Sequence, residues 1–216
     1  HAITLLVVLL VGADLAALRN RLGEMIYRFC FGSIYRHGLF NGDPHPGNFL
    51  LLEGGKIGFV DYGCVAELDV TTIEGFKRLI RALNAGDRAE WRAATEAVGI
   101  LLPGAPFTTD EVYDHMHWYW APILDDEVEF TPELAAEMVR RNTMTTGIGG
   151  QVNRHCNVPA GMVFLTRINF GLAGLLAGLR AKGPWRAIVK EYVEGAAPST
   201  ELGRHSAAST RVGSPI

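Results

Sequence analysis

Lysine is scarce in this 216-residue chain: it occurs at positions 56, 77, 182 and 190 only, so arginine supplies 16 of the 20 basic side chains. Neither cation gathers into a run, and the net charge is −3. A nucleic-acid surface needs a basic patch or stripe, so that class is excluded, and no global pull toward anionic lipid exists. Cysteine is scarce too. Cys30, Cys64 and Cys156 are odd in number and far apart, which gives neither a disulfide framework nor metal-ligand spacing and suits a reducing cytosolic environment. Long hydrophobic runs are missing as well. A membrane helix needs about 20 apolar residues; His1 to Val11 falls short, and Met162 to Leu179 is interrupted by Arg167 and Asn169. The N-terminal stretch has no basic n-region, no convincing cleavage site, and Asp14 close behind, so it is not read as a signal peptide. The chain does not start with Met, and it is expected to be the interior of a longer protein. No internal repeat is visible.

What is present is enough apolar material for a core. The hydrophobic fraction is 48% over a length that suits one domain or slightly more. Ala13 to His37 reads as one long helix, with Leu15, Leu18, Leu22, Met25, Ile26, Phe29 and Ile34 at roughly helical spacing and Arg19, Arg21, Glu24, Arg28 and Arg36 largely between them. Gly38 stands where a helix ends. Further on, Thr71–Glu74, Asp87–Glu90 and Thr108–Glu111 each have a capping-box pattern, and Thr131-Pro132 places proline at the first helical position. Pro159 to Arg180 and Pro184 to Glu194 read as two more helices. The Ala, Ser, Thr, Gly and Pro composition from residue 196 to 216 predicts a disordered tail.

The most specific pattern is Asp43-Pro44-His45-Pro46-Gly47-Asn48, followed thirteen residues after Asn48 by Asp61-Tyr62-Gly63. Between them, Phe49 to Leu52 and Lys56 to Val60 read as two short strands, and Glu53-Gly54-Gly55 as their turn. A hairpin returns its second end to its first, so Asn48 and Asp61 are expected side by side. An Asp and an Asn five apart, a hairpin, then Asp-aromatic-Gly is the phosphoryl-transfer half-site of kinase-like folds. One carboxylate, Asp43, meets the attacking hydroxyl or water. Asn48 and Asp61 supply oxygen ligands for Mg²⁺, a hard cation. His45 either contacts phosphate or stabilises the turn.

The segment Gly38 to Leu51 resembles the catalytic loop of the AarF/UbiB family of atypical kinases, also called the ADCK family. Lys56 to Val65 is similar to that family's metal-binding strand and turn, and Phe164 to Leu172 to its late helix. The resemblance spans roughly residues 12 to 195. It implies a mainly helical, protein-kinase-like C-terminal lobe over 1–195 with a small β-hairpin at the active site, α+β in the complete protein. It further implies ATP and Mg²⁺ as cofactors, Asp43 as the catalytic-loop Asp, and Asn48 and Asp61 as metal ligands. A link to ubiquinone or another isoprenoid lipid, often at a membrane surface, comes with it. One position departs from the pattern: the family usually has His where this chain has Asn41.

Two other readings stand beside this one. Gly42-Asp43-x-His45-x-Gly47-Asn48 is also similar to the catalytic loop of aminoglycoside and choline kinases, which are small-molecule phosphotransferases. Alternatively the chain is a non-catalytic binding module. A kinase site takes its nucleotide-gripping Lys from a strand in the other lobe, and all four lysines here lie at or after the hairpin. These residues alone are therefore expected to clamp ATP poorly, with the missing lobe upstream. Three further patterns point to structure and not to chemistry. His115 and His117 are two apart, so on a helix they face different ways. Gly147-Ile-Gly-Gly150 lacks the Lys-Ser/Thr of a phosphate loop and reads as a helix-to-helix connection. Trp118, Tyr119 and Trp120 read as packing aromatics.

Overall fold

The computed structural model describes residues 3–4, 16–159 and 163–212, and its architecture is mainly helical with three small antiparallel sheets. In chain order the elements are β1 (Ile3–Thr4), α1 (Ala16–His37), β2 (Leu39–Asn41), β3 (Phe49–Leu52), β4 (Lys56–Phe59), β5 (Val65–Glu67), α2 (Val70–Ala85), α3 (Arg88–Ala97), α4 (Thr109–Met116), β6 (Val128–Glu129), α5 (Pro132–Asn142), α6 (Gly147–Asn153), α7 (Val163–Leu179), β7 (Lys182–Gly183), α8 (Trp185–Val193) and α9 (Glu201–Val212). Short 3₁₀ turns cover Pro46–Asn48 and His117–Ile123. The expected starts of two helices, at residues 13–15 and 160–162, and most of the apolar stretch 1–11 lie outside the described residues.

The long helix α1 organises the rest. Leu22 and Ile26 are fully buried, as are Trp185 and Ile188 of α8 and Leu176 and Leu179 of α7. Burying one such side chain is worth about 1.5–3 kcal/mol. Tyr27 packs on Trp185 with ring centroids 4.8 Å apart, and the Trp185 indole N–H donates to Val128 O at 2.7 Å. Arg28 departs from the sequence expectation of an outer polar face, being only 8% exposed. Its guanidinium donates to both carboxylate oxygens of Glu191, at 2.7 and 3.0 Å, and to Glu24 at 2.6 Å.

That network also corrects, as far as residue 212, the reading of the tail as disordered over 196–216; residues 213–216 lie outside the described residues. Residues Glu201–Val212 form α9, led in by Ser199, which donates to Glu191, and by Thr200, which bonds both Glu24 and Arg28. A composition poor in apolar anchors gave no sign of this, because the docking is polar and two of its partners, Glu24 and Arg28, are more than 150 residues away.

Two smaller corrections concern local signals. The Thr71–Glu74 pattern is not the start of α2. Asp69 is the N-cap, accepting from Thr72 N at 2.9 Å, because Leu68 N is held by Gly38 O and the chain turns immediately afterwards. Glu74 bonds Lys77 instead. Residues 147–150, read as a connection, open the short helix α6. There tertiary contacts override glycine propensity: Val152 is fully buried, and the Asn153 amide donates to Arg141 O and Met144 O at 3.0 Å each. The Thr108–Glu111 box is complete. Asp87 caps α3, while Glu90 turns outward to Arg78.

Candidate active site

The residues of the phosphoryl-transfer pattern sit on two loops bracketed by two strand pairs. Loop 42–48 joins β2 to β3, and turn 60–64 joins β4 to β5. β2 pairs antiparallel with β5 (Asn41↔Val65), and β3 with β4 (Phe49↔Phe59). The ladders continue into the loops through Gly42 N→Cys64 O at 2.7 Å and Val60 N→Asn48 O at 3.1 Å. Asn48 and Asp61 therefore leave the hairpin at adjoining positions. The hairpin turn uses positive φ at Gly54 (+74°) and Gly55 (+68°), which glycine adopts without a Cβ penalty.

Three aromatic rings pin this frame to the helical body. Phe29 of α1 stacks on Phe59 with centroids 3.6 Å apart, and Phe59 meets Phe49 edge-on at 5.3 Å. Phe49 directly follows Asn48, and Phe59 precedes Asp61 by two. Each such pair is worth about 0.5–1.5 kcal/mol beyond its buried area. The long helix thus sets the height of both metal-ligand candidates.

Within the frame each side chain has a defined job. Asn48 donates its amide N–H to the backbone O and to Oδ2 of Asp43, both at 3.2 Å. Asp43 is half-buried. Asp61 is exposed, and its Oδ1 accepts from Gly63 N at 2.7 Å, a bond that does not engage Oδ2. His45 Nδ1 accepts from Gly47 N at 3.1 Å and caps the 3₁₀ turn, while the ring is exposed.

Asn41, the position that departs from the family pattern, ties the two loops together. Its amide N–H donates to Asp61 O at 2.5 Å, and its Oδ1 accepts from Asp43 N at 3.0 Å. Sequence reasoning flagged the substitution without seeing this bridge. It also missed Gly171, in α7. A Cβ there would lie 2.6 Å from Cγ of the Pro44 ring, so α7 and the Asp43 loop are in direct contact through a position that tolerates only hydrogen. The late-helix resemblance at Phe164–Leu172 carried that signal, but nothing local named its partner.

The donor set fits a hard divalent cation. Asn48 Oδ1 accepts no hydrogen bond among the described residues, so it and Asp61 Oδ2 are the oxygens that would be offered to such an ion. Among the described residues no cluster of three or more His, Cys, Asp or Glu could hold a metal by itself. Mg²⁺ does not require one, since it commonly keeps waters and phosphate oxygens beside one or two protein ligands.

The other candidates fall to structure. His115 lies on α4, buried, with Nε2 at 2.8 Å from Asn153 Oδ1; burial holds its pKa below the usual imidazole value against that bond. His117 begins the following 3₁₀ turn and bonds Tyr113 O. The three cysteines are free thiols. No helix among the described residues is long and apolar enough to cross a membrane.

This frame is that of a protein-kinase-like lobe. Residues 13–95 match the family of the ABC1 atypical kinase-like domain. The chain is 29% identical over 92 residues to the chloroplastic protein ACTIVITY OF BC1 COMPLEX KINASE 8 of Arabidopsis thaliana, covering 42% of this chain and 12% of that protein. It is 31% identical over 70 residues to the uncharacterized protein slr0889 of Synechocystis, covering 32% and 17%. The solved structure of the Rv3197–erythromycin complex from Mycobacterium tuberculosis superposes with a TM-score of 0.71 at 22% identity, covering 89% of this chain and 47% of that one. Residues 13–95 are thus similar to the atypical kinase-like domain of the AarF/UbiB family. The chain spans less than half the length of each of these relatives.

Proposed function

We propose that this chain supplies the metal and catalytic half of an ATP-dependent phosphotransferase or ATPase. The observation that carries the reading is the frame of two ladders that brings Asp43, Asn48 and Asp61 onto adjoining loops. Asn48 Oδ1 and Asp61 Oδ2 would hold Mg²⁺, which when bound neutralises charge on the nucleotide phosphates. Asp43, held by Asn48, is placed to orient an attacking hydroxyl or water and to take its proton. His45 keeps Nε2 for a phosphate oxygen, since Nδ1 is committed to Gly47. The gripping Lys and covering loop come from a separate lobe. By the family resemblance the reaction serves ubiquinone or another isoprenoid lipid at a membrane surface. The match over residues 13–95 favours this over a kinase of the aminoglycoside or choline type.

The test uses the full-length protein with Asp61→Ala and Asp43→Asn. Asp61→Ala deletes a ligand and its charge, and should abolish most Mg²⁺-dependent nucleotide binding. Asp43→Asn should spare binding and lower turnover by about 10²–10⁴-fold, the usual range for a general base. Equal effects of the two variants on binding and rate would overturn the division of roles. Binding without turnover in the unmodified protein would establish the non-catalytic module instead.

A further inference from the structure

A second site lies within the helical body, where neither the sequence pattern nor the family match assigns one. A cavity of about 190 Å³ opens among α1, α2, α5, α7 and α8, with the 3₁₀ turn His117–Ile123 along one side. Its floor is deeply buried and apolar: Tyr27, Ile80, Phe130 and Val189 are each no more than 3% exposed. Its mouth has a different chemistry. Asn142, Asn157 and Asn169 stand there, all exposed, beside Val158, which is 47% exposed. No Asp, Glu, Lys or Arg lines any part of it among the described residues.

These features select a ligand class. An apolar void of about 150 Å³ stays dry and takes up benzene, so a cavity of this size and lining favours an apolar guest over water. A carboxylate or phosphate head would enter without a counter-charge from the described lining, at a cost that this lining, which has no basic residue, does not offset. Amides at the rim match a neutral hydroxyl or carbonyl instead. Asn157 and Asn169 have no protein partner for their side chains among the described residues, so they have donors and an acceptor to offer. Asn153, deeper in, is already spent on His115 and the end of α5.

We infer that this cavity is a binding site for an uncharged amphiphile, with its apolar body among the α1, α2 and α7 side chains and a hydroxyl or carbonyl head at the asparagine rim. The inference does not rest on the phosphoryl-transfer reading, because no residue of that site lines the cavity. The site still touches it mechanically. Phe31, Ile34 and Tyr35 lie in the last turns of α1 before the catalytic loop, and Asn169 and Phe170 adjoin Gly171, which packs on Pro44.

The test uses short-range quenching of the fluorescence of Trp120, which lines the cavity. The 216-residue chain is titrated with 8-bromo-1-octanol and with 8-bromooctanoate at pH 7.5. The alcohol should quench saturably at one equivalent, and the carboxylate, of equal chain length, should bind at least tenfold more weakly. The quenched component should vanish in Trp120→Phe. Ala173→Leu, which adds side chain from a buried wall position, should weaken alcohol binding at least tenfold with unchanged circular dichroism. Equal binding of alcohol and carboxylate, quenching that persists in Trp120→Phe, or non-saturable quenching would each overturn the proposal. The alcohol–carboxylate comparison requires no variant, so it decides the matter even if Ala173→Leu does not fold.

Discussion

The contact between α7 and the Asp43 loop makes a sharp prediction about Gly171→Ala. The new Cβ would sit 2.6 Å from Pro44 Cγ, where ordinary contact begins at 3.4 Å, so the shortfall is 3.4 − 2.6 = 0.8 Å. Pro44 is buried and its ring cannot swing aside as a flexible chain would, so helix and loop must separate. Overpacking of this kind costs about 1–3 kcal/mol, while replacing a mid-helix glycine by alanine contributes about 0.5–1 kcal/mol. The net expectation is a loss of about 0–2.5 kcal/mol. Gly174, three residues on in α7, is the control, because nothing lies within 4 Å of its added Cβ. Gly174→Ala should gain about 0.5–1 kcal/mol. Helix propensity cancels between the two variants, so their difference in urea-denaturation free energy should isolate the clash at about 1–3 kcal/mol. The loop should report it too. Amides of Gly47 and Asn48, bonded to His45, should exchange faster in Gly171→Ala only. Turnover in the full-length protein should fall by on the order of 10²-fold, the cost of about 1 Å of misplacement. Identical stability, exchange and turnover in the two variants would refute the idea that α7 positions Asp43.

Asn41→Ala removes one hydrogen bond to each loop; at about 0.5–1.5 kcal/mol per bond the loss should be about 1–3 kcal/mol, with faster amide exchange at Asp43, and unaltered exchange would contradict the bridge. Arg28→Met leaves Glu191 and Glu24 facing a buried, uncompensated site, so it should cost about 3–5 kcal/mol and expose the 196–200 segment to protease; full resistance would show that α9 docks by other means. Stability should also depend on acid through Glu191. Burial works to raise this carboxyl, but its bonds to Arg28 and Ser199 outweigh burial and hold it below the ordinary carboxylate value. The folded pKa is the lower one, so the stabilisation is complete above the unfolded value of about 4.3 and is lost as pH falls through the folded value. Urea midpoints measured from pH 6 to pH 3 should therefore drop more steeply for the unmodified chain than for Glu191→Gln, and parallel slopes would remove Glu191 from the account.

The features determined by sequence alone are those whose causes are local. The hairpin at 49–59 follows from two short apolar runs around Gly54-Gly55, and the end of α1 from Gly38. The caps at Asp87, Thr108 and Thr131 depend on side chains three residues from the amides they meet. The Asp43, Asn48 and Asp61 pattern was legible for the same reason: a hairpin is a short-range device, so spacing alone brings its two ends together. Where a local signal failed, a longer-range contact had overruled it. Asp69 displaced the Thr71–Glu74 cap because Gly38 holds Leu68, thirty residues away. Tertiary structure alone decided the rest. Arg28 is buried because Glu191 and Thr200 come to meet it, the Asp43 loop is seated because Gly171 admits Pro44, and the cavity exists because the surrounding helices fail to fill the space between them. Each joins residues that are more than 100 positions apart or on several elements at once. Their proximity arises from the summed packing of the whole lobe, which no window of sequence contains.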